Sequence, residues 1–130
     1  MTTIKFQNSA LFAGNRPWAD VKLLRSSKPK LSVATHKCIV DTGADYLQLP
    51  ELAATSIGLS LANTILYSIN TAGGTVSMKM LRGAAVDIEG YLVTVDVLLD
   101  PTNSVTPLAG RGVLLAAFDI GMKPGEWFWS

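Results

Sequence analysis

Cys38-Ile39-Val40 runs without a break into Asp41-Thr42-Gly43, and no other segment limits the folds open to this chain as strongly. Three apolar residues in an extended pattern read as a buried strand. A carboxylate at the end of such a strand is costly unless donors meet it, because an ionised group loses its hydration on burial. Gly43 allows unusual dihedrals and the close approach of a ligand, and offers its amide and carbonyl to an incoming chain. Thr42 has a hydroxyl that can anchor a turn. The junction predicts a sheet whose buried strand delivers an acid to a place where chemistry can happen. The same three residues also make an ordinary turn, so the rest of the chain must decide.

Most of that chain reads as strand. Trp18 to Leu24 alternates in part, Leu31 to Val40 ends in the apolar run above, and Thr64 to Ile69 is rich in β-formers. Val76 to Ile88 is a long mixed pattern, and Tyr91 to Leu99 is the clearest strand of all. Turn signals separate these runs at Ser26-Ser27-Lys28-Pro29, Thr71-Ala72-Gly73-Gly74, Glu89-Gly90 and Asp100-Pro101-Thr102-Asn103. Two short helices are predicted, one opening at Pro50 and stopping before Gly58, the other from Val113 to Phe118 and stopping before Gly121. Short strands with few helices indicate an all-β barrel or sandwich. At 130 residues the expectation is one domain, 1–130, with one site.

Composition removes several functions. A formal charge of +1 with scattered Lys and Arg gives no footprint for nucleic acid or an anionic membrane. The longest apolar runs fall short of a membrane span, and Ser9 to Ala13 is too short for a signal core, so a soluble cytoplasmic protein is expected. One cysteine, Cys38, and one histidine, His36, leave no disulfide and no zinc cluster. His36 would have to serve as base for any serine or cysteine nucleophile, yet it sits in a strand pattern that suits a structural or surface histidine. With 48% hydrophobic and only 16% charged residues, some apolar surface is expected to lie between subunits.

With these residues in place, the sequence resembles the retropepsin family, the retroviral proteases and their bacterial and cellular relatives, over nearly its whole length. Asp41-Thr42-Gly43-Ala44 matches the family's active-site turn, and Asp45 matches the further acid of the retroviral form. Leu108-Ala109-Gly110-Arg111 ahead of a short helix matches the second signature. The resemblance implies an all-β closed acid-protease barrel with one or two short helices. It implies that Arg111 braces Asp45, and that Arg16, just before Pro17, either reaches toward the same acid across a dimer or is a solvated surface side chain. Thr71-Ala72-Gly73-Gly74-Thr75 would be the tip of the flap, the hairpin that closes over bound peptide, although a plain hairpin uses the same residues. Gly43, Asp45, Ala72, Gly73 and Gly74 are the expected substrate contacts. Ala109 is smaller than the family's usual residue, Gly112 replaces a common polar one, and the insert from Pro50 to Ile57 is nearer to bacterial relatives.

Aspartic proteolysis needs two carboxylates near enough to share a proton, one to activate water and one to polarise the scissile carbonyl. The chain contains no second Asp-Thr-Gly or Asp-Ser-Gly. The second acid is therefore expected to be Asp41 of a two-fold-related subunit, making the protein a homodimeric endopeptidase that needs no cofactor or metal. Glu126-Trp127-Phe128-Trp129-Ser130 is expected as an interface strand, with the subunit's own core as the alternative place for its tryptophans and with Trp18 in the core. A dimer that binds peptide without cleaving it would keep the same residues. So would an all-β assembly subunit in which Asp41 merely turns the chain.

Overall fold

The computed structural model describes residues 5–25, 33–71 and 73–130, without the side chain of Thr71. Among the described residues, ten strands and two short helices follow one another: β1 (Asn8–Leu11), β2 (Trp18–Leu24), β3 (His36–Val40), β4 (Leu47–Pro50), α1 (Glu51–Thr55), β5 (Ile65–Thr71), β6 (Gly74–Ile88), β7 (Tyr91–Asp100), β8 (Leu108–Ala109), α2 (Arg111–Ala117), β9 (Ile120–Lys123) and β10 (Glu126–Trp129). The all-β expectation and both helices hold. The Ser26–Pro29 turn and Leu31 lie outside the described residues. No described helix is long and apolar enough to cross a membrane.

Seven strands form one mixed sheet in the order β2-β3-β8-β4-β7-β6-β5, and β2 also pairs with β6. That extra pairing closes six strands into a ring and leaves β5 attached to the outside of β6. The ring is possible because β6 is 15 residues long and serves two partners in succession. Its first half pairs with β5 and its last residues with β2, while β7 lies along its other side. A bulge between Leu81 and Ala84 separates the halves. Gly83 takes φ +62° there and donates its amide to an Asp96 carboxylate oxygen at 2.9 Å. A bulge of this kind bends the strand and increases its twist, which turns a flat ladder toward closure.

The strands that line the ring show the alternation expected when one face is buried. Val21, Leu23, Val40, Leu47, Val86, Ile88, Val97 and Leu99 are among the buried residues, and Val113 and Leu114 of α2 join them from outside the sheet. Glu89 (φ +49°) and Gly90 (φ +85°) make the tight β6–β7 turn. Both central residues have positive φ, as the right-handed twist of a hairpin prefers.

A second sheet of three strands, β1-β10-β9, is built entirely from the two ends of the chain. Trp127 and Trp129 face inward from β10 and stack at 4.1 Å between centroids. Trp127 is fully buried and Trp129 nearly so. Of the two places expected for these tryptophans, they take the chain's own core: β1 and β9 flank β10 within one chain, and the two rings complete that core. Trp18 is also displaced from its expected place. It is half-buried at the rim between β1 and β2, where its indole N–H donates to the Ala13 carbonyl at 2.8 Å.

Candidate functional site

The local architecture around Asp41 starts from a two-residue strand. β8 runs parallel to β3, with Val40 opposite Ala109, and also pairs with β4 through Gln48 and Leu108. It therefore lies between the strand entering the Asp41 turn and the strand leaving it. The Asp41 amide donates to the Ala109 carbonyl at 3.0 Å. On the far side of the turn, the Arg111 amide donates to the Ala44 carbonyl and the Gly112 amide to the Asp45 carbonyl, each at 2.8 Å. Main-chain bonds to one short segment thus fix both limbs, satisfying polar groups that burial would otherwise strand.

Within the turn, the Gly43 amide donates to Oδ1 of Asp41 at 2.9 Å, and the Ala44 amide donates to the Asp41 carbonyl at 3.2 Å. An amide aimed at a carboxylate oxygen fixes the rotamer of that carboxylate. Asp41 is half-buried, Ala44 likewise, and Thr42 and Gly43 are exposed. The Thr42 hydroxyl makes no hydrogen bond to any described residue, so main-chain contacts and the Asp41 side chain hold the turn instead.

The close packing explains the glycines that follow. A Cβ on Gly110 would stand 2.5 Å from the Tyr46 carbonyl oxygen and 2.7 Å from that of Ala44. One on Gly112 would stand 2.9 Å from the Asp45 carbonyl oxygen. Gly112 looks like a departure from the family pattern in the sequence. In the fold it is the residue that lets α2 begin against the turn.

Arg111 extends from the start of α2, and its guanidinium pairs with the Asp45 carboxylate. Both side chains are largely exposed. Arg16 is exposed in the tight turn between β1 and β2, where it forms a bridge with Ala13 and no ion pair with any described residue. The structure thus brings Asp41, Thr42, Gly43, Ala44, Asp45, Gly110 and Arg111 together and leaves Arg16 apart within the chain.

β5 and β6 form the hairpin expected between the two signatures, in register from Ile65 opposite Met80 to Thr71 opposite Gly74. The Thr75 hydroxyl donates to the Asn70 side-chain oxygen at 3.1 Å beside the tip. Gly73 is exposed and Gly74 takes φ +115°, a conformation open to glycine and few others. Ala72 lies outside the described residues.

Sequence reasoning missed the connection between this hairpin and the turn. Tyr46, immediately after Asp45, meets Tyr67 of β5 edge-on at 5.7 Å, with the rings 77° apart. Tyr46 also packs, with Ile69 and Val76, on a small apolar cluster of Met78, Met80 and Leu98 that is separate from the main core. The neighbouring Tyr67 phenol raises the Tyr46 hydroxyl above its ordinary range. Periodicity marks each strand but carries no signal that positions 46 and 67 touch.

The other candidate nucleophile and base are poorly placed for chemistry. Burial pushes the Cys38 thiol up to about 12, which keeps it protonated and inert. Burial lowers His36, and it opens β3 at the opposite end from Asp41. Among the described residues no three His, Cys, Asp or Glu side chains gather as metal donors.

A family model described as aspartyl protease matches residues 32–112, a span that includes the Asp41 turn, the β5–β6 hairpin and the Gly110–Gly112 segment. No curated protein matches the chain.

Proposed function

The chain belongs to the aspartyl protease family, and from that membership we propose that it is a homodimeric endopeptidase in which two Asp41 carboxylates, one from each subunit, activate the water that attacks a peptide bond. The observation that carries this reading is the setting of Asp41: a half-buried carboxylate on a turn locked by β8 and α2, in a sequence that holds a single Asp-Thr-Gly. A lone carboxylate can accept a proton but cannot at the same time donate one to the carbonyl oxygen. A two-fold axis through the turns supplies the missing acid with identical geometry.

Two carboxylates about 3 Å apart do not both ionise readily, so the pair holds one proton between them. The ionised member takes a proton from water as the oxygen attacks the scissile carbon. The protonated member donates to the carbonyl oxygen, and the tetrahedral product collapses with proton transfer to the leaving nitrogen. Substrate lies extended between the turn and the hairpin, bonded through main-chain groups of Gly43, Asp45 and the Ala72–Gly74 tip. Fixed main-chain donors around the turn need little rearrangement as charge moves, which is where such sites gain rate.

The decisive experiment compares wild type with Asp41→Asn on unfolded casein and a peptide library at mildly acidic pH, with and without pepstatin, while the oligomeric state is measured in parallel. Cleavage that needs Asp41 and rises with dimer concentration supports the proposal. A verified dimer that binds peptide without cutting it replaces the enzyme with a peptide-binding protein. A protein that stays monomeric with substrate present removes the shared site altogether.

A further inference from the structure

Within the seven-stranded sheet, β5 is the one strand whose described residues have a neighbour on a single side, because the β2–β6 pairing closes the other six into a ring. Its sequence, Ile65-Leu66-Tyr67-Ser68-Ile69-Asn70-Thr71, contains no charge and no proline. Ile65, Leu66 and Tyr67 are 49%, 73% and 38% exposed. Free edges carry unpaired N–H and C=O groups, and proteins usually protect them with lysine, proline or a bulge. Three consecutive exposed apolar residues on an edge that no other described strand covers mark a surface that is covered when it works.

Its position says by what. Residues directly opposite in an antiparallel pair share a face, so Ile65, Tyr67 and Ile69 share theirs with Met80, Met78 and Val76. On that face Tyr67 meets Tyr46, the residue after Asp45. The free edge thus begins at the hairpin tip, passes the Tyr46 contact, and continues to Ile65, roughly 20 Å in all at strand spacing. A chain lying extended in the cleft and running on past the hairpin would meet this edge next.

Resting on the proteolytic reading above, we propose that the Ile65–Tyr67 end of β5 is a docking edge for the part of an extended substrate that lies beyond the cleft. The substrate class that follows is unfolded or extended polypeptide with apolar residues several positions from the cleaved bond. Main-chain groups of the edge pair with that segment, and Ile65 and Leu66 contact its apolar side chains, one on each face. The occupant is substrate because the edge continues the strand that borders the cleft. An edge without charge offers nothing to select a charged partner.

The test uses two peptides with the same central sequence, one of about six residues and one of about fourteen, since at strand spacing only the longer can fill the cleft and still extend along the edge. Binding of each to Asp41→Asn protein is measured by fluorescence anisotropy, and kcat/KM by cleavage with active protein, before and after the double change Ile65→Lys/Leu66→Lys. Both side chains are exposed, so the variant folds, which thermal melting checks. The long peptide is expected to bind at least tenfold tighter than the short one, and the double variant to reduce that ratio to within about twofold through KM. Equal binding of both peptides to the unaltered edge overturns the proposal. So does a lysine variant that keeps the preference, or one that loses dimerisation, which would assign the edge to a second copy. If the long peptide binds preferentially and neither is cut, proteolysis fails and the docking edge stands.

Discussion

Gly110 packs against the backbone of Tyr46 so closely that a methyl group on the glycine would stand 2.5 Å from the Tyr46 carbonyl oxygen and 2.8 Å from its amide nitrogen. The contact matters because Gly110 links β8 to α2, while Tyr46 leads out of the Asp41 turn. The two signature segments, far apart in sequence, are in contact backbone to backbone. No side chain separates them, so no side chain can move aside to admit one.

Gly110→Ala is therefore expected to force β8 away from the turn. Overpacking against rigid backbone costs about 3 kcal/mol, and a chain of this size would lose roughly 10 °C in Tm. Calorimetry measures the shift. An alanine variant melting within a degree or two of wild type would mean that the two segments are not held this close.

The sequence already marks the strands, since period-two patterning at Trp18–Leu24 and Tyr91–Leu99 depends on burial of one face and nothing else. The helix at Arg111–Ala117 was legible from its apolar run and its stop before Gly121, though its first turn was missed. What the pattern could not supply was pairing. β8 is two residues long, too short for any periodicity, yet it fixes the turn. The C-terminal Trp127 and Trp129 have an aromatic signature equally suited to a core or an interface, and only the neighbours β1 and β9 decide between them. The Tyr46–Tyr67 contact is likewise a product of tertiary register.

Because Arg111 and Asp45 are both more than half exposed as side chains, their ion pair should stabilise the fold by less than about 1 kcal/mol. Arg111→Ala leaves the main-chain bond from residue 111 to Ala44 in place, so its Tm should fall by only a few degrees. Its effect belongs on substrate: an Asp45 freed from the guanidinium is expected to raise KM several-fold with kcat little changed. Steady-state kinetics on one peptide separate the two. A large loss of stability instead would make the pair a structural element.

Trp127 lies fully inside the chain, its indole N–H donating to the Trp18 carbonyl at 3.2 Å. Trp127→Ala should cost about 3 to 5 kcal/mol, as removal of a buried indole leaves a cavity. Unfolding in urea at two protein concentrations distinguishes core from interface. The loss should appear equally at both, whereas an interface anchor would show a loss that shrinks as protein concentration rises.

Asp100 ends β7 and is 1% exposed. Burial pushes its carboxyl up, but the Thr102 amide at 2.9 Å, the Thr102 hydroxyl at 2.8 Å and the Val105 amide at 3.1 Å outweigh it, and the net direction is down. A carboxylate lowered on folding contributes stability that is complete above its unfolded value, about 3.9. That contribution is lost as pH falls through the lower folded value. Asp100→Asn should destabilise the protein at pH 7 and flatten the acid side of its stability curve, since the amide nitrogen cannot accept these bonds. Melting temperatures from about pH 2 to about pH 7, a span that brackets the carboxylate range, would show the two curves converging at the acid end. Parallel curves would mean that Asp100 is not the group responsible.

Ala44 is held between two main-chain bonds, its amide on the Asp41 carbonyl at 3.2 Å and its carbonyl on the Arg111 amide at 2.8 Å. A side chain at this position is therefore fixed beside the Asp41 turn rather than free to rotate away with the backbone. In the proposed dimer, alanine gives the two Asp41 carboxylates no hydroxyl there. Serine would add a donor that favours the ionised form, and a form so favoured persists to lower pH. Ala44→Ser is expected to move the optimum for cleavage downward by about half to one pH unit with the bell shape kept. Because the substitution adds one oxygen and disturbs neither main-chain bond, stability should hardly change, which separates an electrostatic effect from a loosened turn. The profile of kcat/KM against pH is the measurement, and curves that superimpose would show that the missing hydroxyl does not set the working range.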